Sequence, residues 1–270
     1  MSELETPTSS NPAPKPANAL AEVFSQANIT LGLAVLAVVL AGAPYVIPKV
    51  RAWQVEKGLM SKPEMLLTAS QRLRDGQAAQ AAAQAQAQIK AHHNAIFNDP
   101  SDPVIGNGPI KVVEFLDYQC AYCRAATPSV QAFLAANPDV QLVVKEYPVV
   151  HPENSIALAA YGIEASKAGK YEAVHYALLG HDFHPEQSGR NIGGEVDAIV
   201  AQAGLDPVAF RKGMNDPVVK DQINRTIDLG SNLGINGTPT FIVGDRMVNG
   251  ADLRALDDAV QAVRSAKKPS

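Results

Sequence analysis

Apolar residues follow three different rhythms along this 270-residue chain. The first is a nearly continuous run. Val23 to Pro48 holds no charged residue, and Ile29–Ile47 is mostly Leu, Val, Ala and Ile. Such a run in helical form rises about 28 Å, close to the thickness of a hydrocarbon core. It predicts a transmembrane anchor over residues 28–48. A cleaved signal peptide is the other reading, because Ala41-Gly42-Ala43 has the small residues of a cleavage site. Lys15 is the sole cation ahead of the run, and Pro44 follows the small residues, which favours the anchor. Residues 1–27 carry four prolines and little apolar mass, so they are expected to form a disordered tail. Lys49, Arg51 and Lys57 follow the run and Glu22 precedes it, an asymmetry that by itself places the C-terminal bulk in the cytoplasm.

The second rhythm is sparse and helical. Residues 49–98 are expected to form a stalk, with a long helix or helix pair over 61–98. Ser61-Lys62-Pro63-Glu64 fits a capping box with proline in the first turn. Leu66/Leu73 and Ile89/Ile96 each stand one heptad apart around the tract QAAQAAAQAQAQ, the pattern of a self-association seam. A solvated spacer arm fits alanine and glutamine equally well. Gly76 is a candidate break, and Asn98-Asp99-Pro100 a stop.

The third rhythm, over residues 99–270, is that of a packed α/β domain. IKVVEFLD (110–117) reads as a strand, followed by a helix to about Ala135 and a second strand, QLVVKEY (141–147). Residues 152–233 read as helical throughout, with Gly204 ending one helix and Asp206-Pro207 starting the next. Phe241–Val243 and Arg246–Val248 flank Gly244-Asp245, a two-residue hairpin signal. A last helix over about 252–265 sets Leu253, Leu256, Val260 and Val263 on one face.

Charge and composition narrow the chemistry. A net charge of −4 gives no basic stripe for nucleic acid, and no Gly-rich phosphate loop is present. The chain has two cysteines, Cys120 and Cys123, in YQCAYCR. A structural zinc needs four ligands, and two thiols supply half of them. His181 and His184 have a tempting spacing without a carboxylate cluster, while the adjacent His92 and His93 point to different sides of a helix. Zinc is therefore not expected. Cys120 falls where a strand ends and a helix begins, and the helix N-terminus favours an anion there. Cys123, one turn in, should be more buried and able to attack a mixed disulfide on Cys120. The spacing points to a redox couple that needs no other cofactor.

Two further features bear on the pair. Glu114 shares a strand face with Ile110, Val112 and Leu116, where burial would raise its pKa and let it exchange protons with Cys123. The same face could instead meet solvent near the strand end. Gly237-Thr238-Pro239-Thr240 precedes the strand at Phe241. Pro239 there is either an ordinary trans residue or a cis residue that presents the Thr238 backbone to a substrate strand.

With VVEFLDYQCAYC, KEYP and GTPTFIVGD in place around a helical insertion, residues 95–266 resemble the DsbA-like branch of the thioredoxin superfamily. The Ala/Gln-rich arm leading into NAIFNDPSDPVIGN further resembles its ScsC-type subgroup, which carries an N-terminal oligomerisation segment. The resemblance implies a thioredoxin fold with a helical insertion at about 152–233 and thiol–disulfide exchange on exported, misoxidised proteins, with a membrane redox partner. It implies that Cys120 is the nucleophile, Cys123 the resolving thiol, Glu114 the buried acid and Pro239 the cis proline. Tyr118, Tyr122 and Thr238 are expected to join Pro239 in contacting substrate. The strongly oxidising members carry a histidine between the cysteines, where this chain has Ala121-Tyr122. A less stabilised thiolate makes a weaker oxidant, about 30 mV for each 1.4 kcal/mol. With Thr238 before the proline, that leans toward disulfide isomerase or reductase work rather than oxidation. A non-enzymatic Cu(I) protein using the two soft thiolates, and a structural tether, are the rival readings. Disulfide chemistry places the domain in the periplasm on an inner-membrane anchor, against the flanking charges.

Overall fold

The computed structural model describes residues 31–38, 41, 52, 55–58, 61–183 and 191–267. Helix α1 (Pro63–Ala91) is followed by the short α2 (His93–Phe97), then β1 (Val104–Ile105), β2 (Ile110–Leu116), α3 (Ala121–Ala136) and β3 (Val140–Glu146). Five helices come next: α4 (Pro152–Lys167), α5 (Tyr171–Gly180), α6 (Gly193–Gln202), α7 (Pro207–Gly213) and α8 (Pro217–Asn232). The chain then returns to the sheet through β4 (Thr240–Val243) and β5 (Arg246–Asn249), and closes on α9 (Leu253–Lys267).

The five strands make one mixed sheet in the order β1-β3-β2-β4-β5. β2 runs parallel to β3, with Glu114 opposite Val144 and Leu116 opposite Glu146. It runs antiparallel to β4, with Glu114 opposite Phe241. Side chains alternate across a strand, so β2 feeds two cores. Ile110, Val112 and Leu116 enter a cluster with α3, α5 and α9 residues, including Cys123, Val130, Val174, Leu256 and Val260. Val113 and Phe115 enter the other, with Ile89, Ile96, Phe97 and Leu229. The central strand is thereby covered on both faces, and Glu114 lies on the first of them.

The insertion is built with ordinary helix chemistry. Asp206 and Asp216 cap α7 and α8 by accepting from the Val208 and Val218 amides at 2.9 and 3.0 Å, each with proline at the first helical position. The two-residue turn between β4 and β5 stands at Gly244-Asp245, where Gly244 takes a φ of 59° that a side chain would resist.

Several expectations need correction. The chain divides into two units, residues 1–75 and 76–270, and the sheet belongs to the second. α1 runs through Gly76 without a break. One glycine costs a helix about 1 kcal/mol, and the flanking arginine, alanine and glutamine are strong formers. The Ser61 box is not formed: its hydroxyl donates to the Gly58 carbonyl at 2.9 Å, although Pro63 does begin the helix. Ile89 and Ile96 are buried at 2% and 0% exposure against the sheet, so this heptad pair docks the arm's end instead of waiting for another chain. The two-residue β1 was not anticipated. Residues 31–38 are helical, but most of the 28–48 run and the tail lie outside the described residues. Among those described, no helix is long and apolar enough to cross a membrane.

Candidate active site

The site forms where β2 gives way to α3. Asp117, the first residue after β2, is fully buried and its carboxylate is saturated. One oxygen accepts from the Gln119 amide and the Ser155 hydroxyl, the other from the Val149 and Val150 amides, all at 2.8 Å. This fixes the turn into α3 against the loop that leaves β3. Cys120 sits at the N-cap of α3 in extended conformation, with no side-chain cap of its own. Its amide donates to the Asp117 carbonyl at 2.9 Å. Asp117 was not picked out from sequence; the signal was there, an Asp directly after a strand and ahead of a helix, where Asx turns form.

Both cysteines are free thiols. Cys120 is only 6% exposed although it stands at a helix entrance. Its thiol donates to the Thr238 carbonyl at 3.2 Å. The Thr238–Pro239 bond is cis. The Cys120 thiol is pulled down to about 5, chiefly by the Cys123 thiol donating to it. The Thr238 side chain and the amides of Cys123 and Tyr122 act in the same sense, against burial. The helix N-terminus thus favours an anion as its orphan N–H groups require. Cys123, at 2% exposure, is pushed strongly up by burial, then by Cys120 and by the charge of Glu114. One thiol is set to be a thiolate and the other to hold its proton.

Glu114 is 5% exposed, so its strand face does not meet solvent, and burial raises its carboxyl to about 8. Tyr122 stands 76% exposed beside the pair. Tyr118 does not: at 1% exposure it turns inward to Glu146 and His175, and the expectation that it touches substrate is not met. A groove of about 1220 Å³ runs past Tyr122, Thr238 and Pro239, with Ala81, Ala85 and Gln88 of α1 on its far side. Among the described residues, none that lines it is charged. His181 Nε2 lies 2.8 Å from Glu195 Oε2, and His184 lies outside the described residues. Among the described residues no three His, Cys, Asp or Glu side chains gather as a metal site would need.

Known proteins place this geometry. The thioredoxin family profile matches residues 98–262. A thioredoxin-like oxidoreductase from Silicibacter pomeroyi is 39% identical, covering 64% of this chain and 97% of that one at a TM-score of 0.58. A variant of Proteus mirabilis ScsC is 24% identical over 81% of this chain and 94% of its own, with a TM-score of 0.59. The thiol:disulfide interchange protein DsbA of Bordetella parapertussis is 25% identical, covering 60% of this chain and 76% of that protein. The chain also spans about a quarter (23–27%) of the length of Na(+)/H(+) antiporters NhaA from Salinispora and Herminiimonas. With more than half its length matched, the chain belongs to the thioredoxin family; its relatives include DsbA proteins, and it shares its fold with ScsC.

Proposed function

We propose that the protein is a thiol–disulfide oxidoreductase acting on exported proteins, with its catalytic domain in the periplasm on an inner-membrane anchor at residues 28–48. The observation that carries the reading is the opposition of the two thiols, Cys120 pulled down to about 5 and Cys123 pushed up, one helical turn apart. Cys120 then attacks a substrate disulfide, and Cys123 resolves the mixed disulfide once Glu114 takes its proton. Thr238 and Pro239 position the substrate strand beside Cys120, with Tyr122 at its edge. The Leu66 and Leu73 side chains, 49% and 62% exposed, form the self-association seam of the arm.

Ala121-Tyr122 and Thr238 favour isomerase or reductase work. The stabilised Cys120 thiolate pulls the other way, toward an oxidising couple. Equilibrating the full-length protein with glutathione buffers measures the balance: a potential at the DsbA end makes it an oxidase, a lower one an isomerase or reductase. Cys123→Ser is expected to trap mixed disulfides with exported proteins, and Cys120→Ser to abolish turnover. Failure to trap any partner, to reduce insulin and to reactivate scrambled ribonuclease would sink the reading. Tight Cu(I) binding by the reduced pair without exchange would put metal handling in its place.

A further inference from the structure

A second carboxyl, which the exchange chemistry described above does not use, lies on the same sheet face as Glu114. Glu146 ends β3 opposite Leu116 and is 3% exposed. Its Oε1 accepts from the Tyr118 hydroxyl at 2.8 Å and the Tyr171 hydroxyl at 3.0 Å. Both hydroxyls also lie within bonding distance of His175 Nδ1, at 3.0 and 3.1 Å. These four atoms close a ring with four edges. Helix α4 shuts the site from above: a Cβ on Gly162 would stand 2.4 Å from Glu146 Oε1 and 2.9 Å from the Tyr118 oxygen. The remaining oxygen, Oε2, is buried without a partner among the described residues.

Counting protons shows what such a ring can do. As a carboxylate, Oε1 takes both tyrosine protons, and a proton on His175 Nδ1 serves one tyrosine oxygen. With the carboxyl protonated at Oε1, that proton goes to the Tyr118 oxygen, the Tyr118 proton turns to Nδ1, and Tyr171 still donates to Oε1. The change needs only hydroxyl rotation and the other histidine tautomer. A polar group so fully buried is otherwise costly to ionise.

We propose that Glu146 is a positioning residue for the proton that Cys123 gives up, a second buried carboxyl that shares one negative charge with Glu114. The proposal rests on the exchange reading above. In the resolving step the bond from Cys120 Sγ to the substrate sulfur breaks and a bond from Cys123 Sγ to Cys120 Sγ forms. The substrate leaves as a thiolate with the bonding pair, reduced, while the cysteine pair is oxidised. The Cys123 proton passes to the Glu114 carboxylate. Two carboxylates on one apolar face repel, so Glu146 holds its own proton in the ring while Glu114 is charged. The groups that act on Glu146 are Tyr118, Tyr171, Asp117 and Glu114, with His175 of α5 bonded to both tyrosines; from α4, Gly162 stands against the carboxyl and Ser155 donates to Asp117. Burial raises Glu146 to about 8, the same value as Glu114, while His175 is pushed down to about 3 and stays neutral. Two carboxyls on one face, both raised by burial, favour one shared charge over two.

The full-length protein is loaded with glutathione as a mixed disulfide on Cys120, and glutathione release is followed against pH. In Glu146→Gln the midpoint of the rise in rate with pH, where Glu114 ionises, is expected to fall by about one pH unit and to sharpen, because the competing like charge is gone. An unmoved midpoint in a variant that melts like the parent overturns the proposal. Should Glu146→Gln not fold, difference infrared spectra of Glu114→Gln decide. A protonated-carboxyl band that responds to reduction of the disulfide is expected to remain there, and its absence overturns the proposal. If no mixed disulfide with glutathione forms at all, the exchange reading itself falls.

Discussion

Glu114 has the sharpest consequences of any single residue outside the cysteine pair. Its carboxyl titrates at about 8 in the fold and near the ordinary 4.3 in the unfolded chain. Folding therefore takes up a proton between those values, and stability falls as pH rises through that window before levelling off above it. With the Cys120–Cys123 disulfide formed, so that no thiol titrates, Glu114→Gln is expected to gain on the parent as pH rises. The difference, on the order of a few kcal/mol near pH 8 and close to nil near pH 4, is measurable by urea unfolding at the two ends. A pH-independent gap would mean that Glu114 does not carry the proton. Period two put this residue on a face with Ile110, Val112 and Leu116 but left open whether that face meets solvent, and it was the family resemblance that pointed to a buried acid. Neither singled out its partner Glu146. KEY reads as alternating polarity, and both of its charged residues prove buried: Lys145 faces one core, Glu146 the other. Lys145 finds Asp102 and the Ala95 carbonyl, and Glu146 two tyrosine hydroxyls that in turn meet His175, all distant in sequence.

Among the elements, α2 is small but holds the end of the arm. Ile96 and Phe97 pack with Ile89, Val113, Phe115 and Val143. Lys145 reaches across from β3 to the Ala95 carbonyl at 2.5 Å, and Lys111 to the Phe97 carbonyl at 2.7 Å. Ile96 is fully buried, so Ile96→Ala is expected to cost about 2–5 kcal/mol, the range for such cavities. The thiolate absorbance of Cys120 should keep its midpoint in this variant, because the pair lies on the opposite core. A shift in that midpoint would show that the two cores are coupled. Heptad spacing located Ile89 and Ile96 correctly as contact residues and named the wrong partner. A seven-residue repeat fixes which face is apolar, not whether a sheet or a second helix covers it. The strands β2 to β5, the hairpin and the helix start at Asp206-Pro207 followed from local pattern; the insertion read only as helical throughout, and β1 consists of two residues and has no pattern to read.

At the scale of the whole molecule, the apolar residues of the arm divide between two tasks. Its C-terminal pair is spent on the sheet, while Leu66 and Leu73 stay exposed, the two residues that the proposed self-association would use. Replacing both by glutamate is expected to lower the mass seen in sedimentation while the melting of the thioredoxin domain stays unchanged. A mass that does not respond would assign the arm to spacing alone. The groove beside Cys120, with no charge on its lining, also sets how a substrate arrives. Long-range steering comes from charged clefts and fades with added salt. A neutral lining gives up that acceleration, so encounter should proceed at an unsteered rate of about 10⁵–10⁶ M⁻¹s⁻¹, nearly indifferent to ionic strength. Stopped-flow mixing with a disulfide peptide at low and high salt should give superimposable traces. Acidic and basic client chains would then be captured at similar speed, and selection among them would fall to how readily each exposes a disulfide.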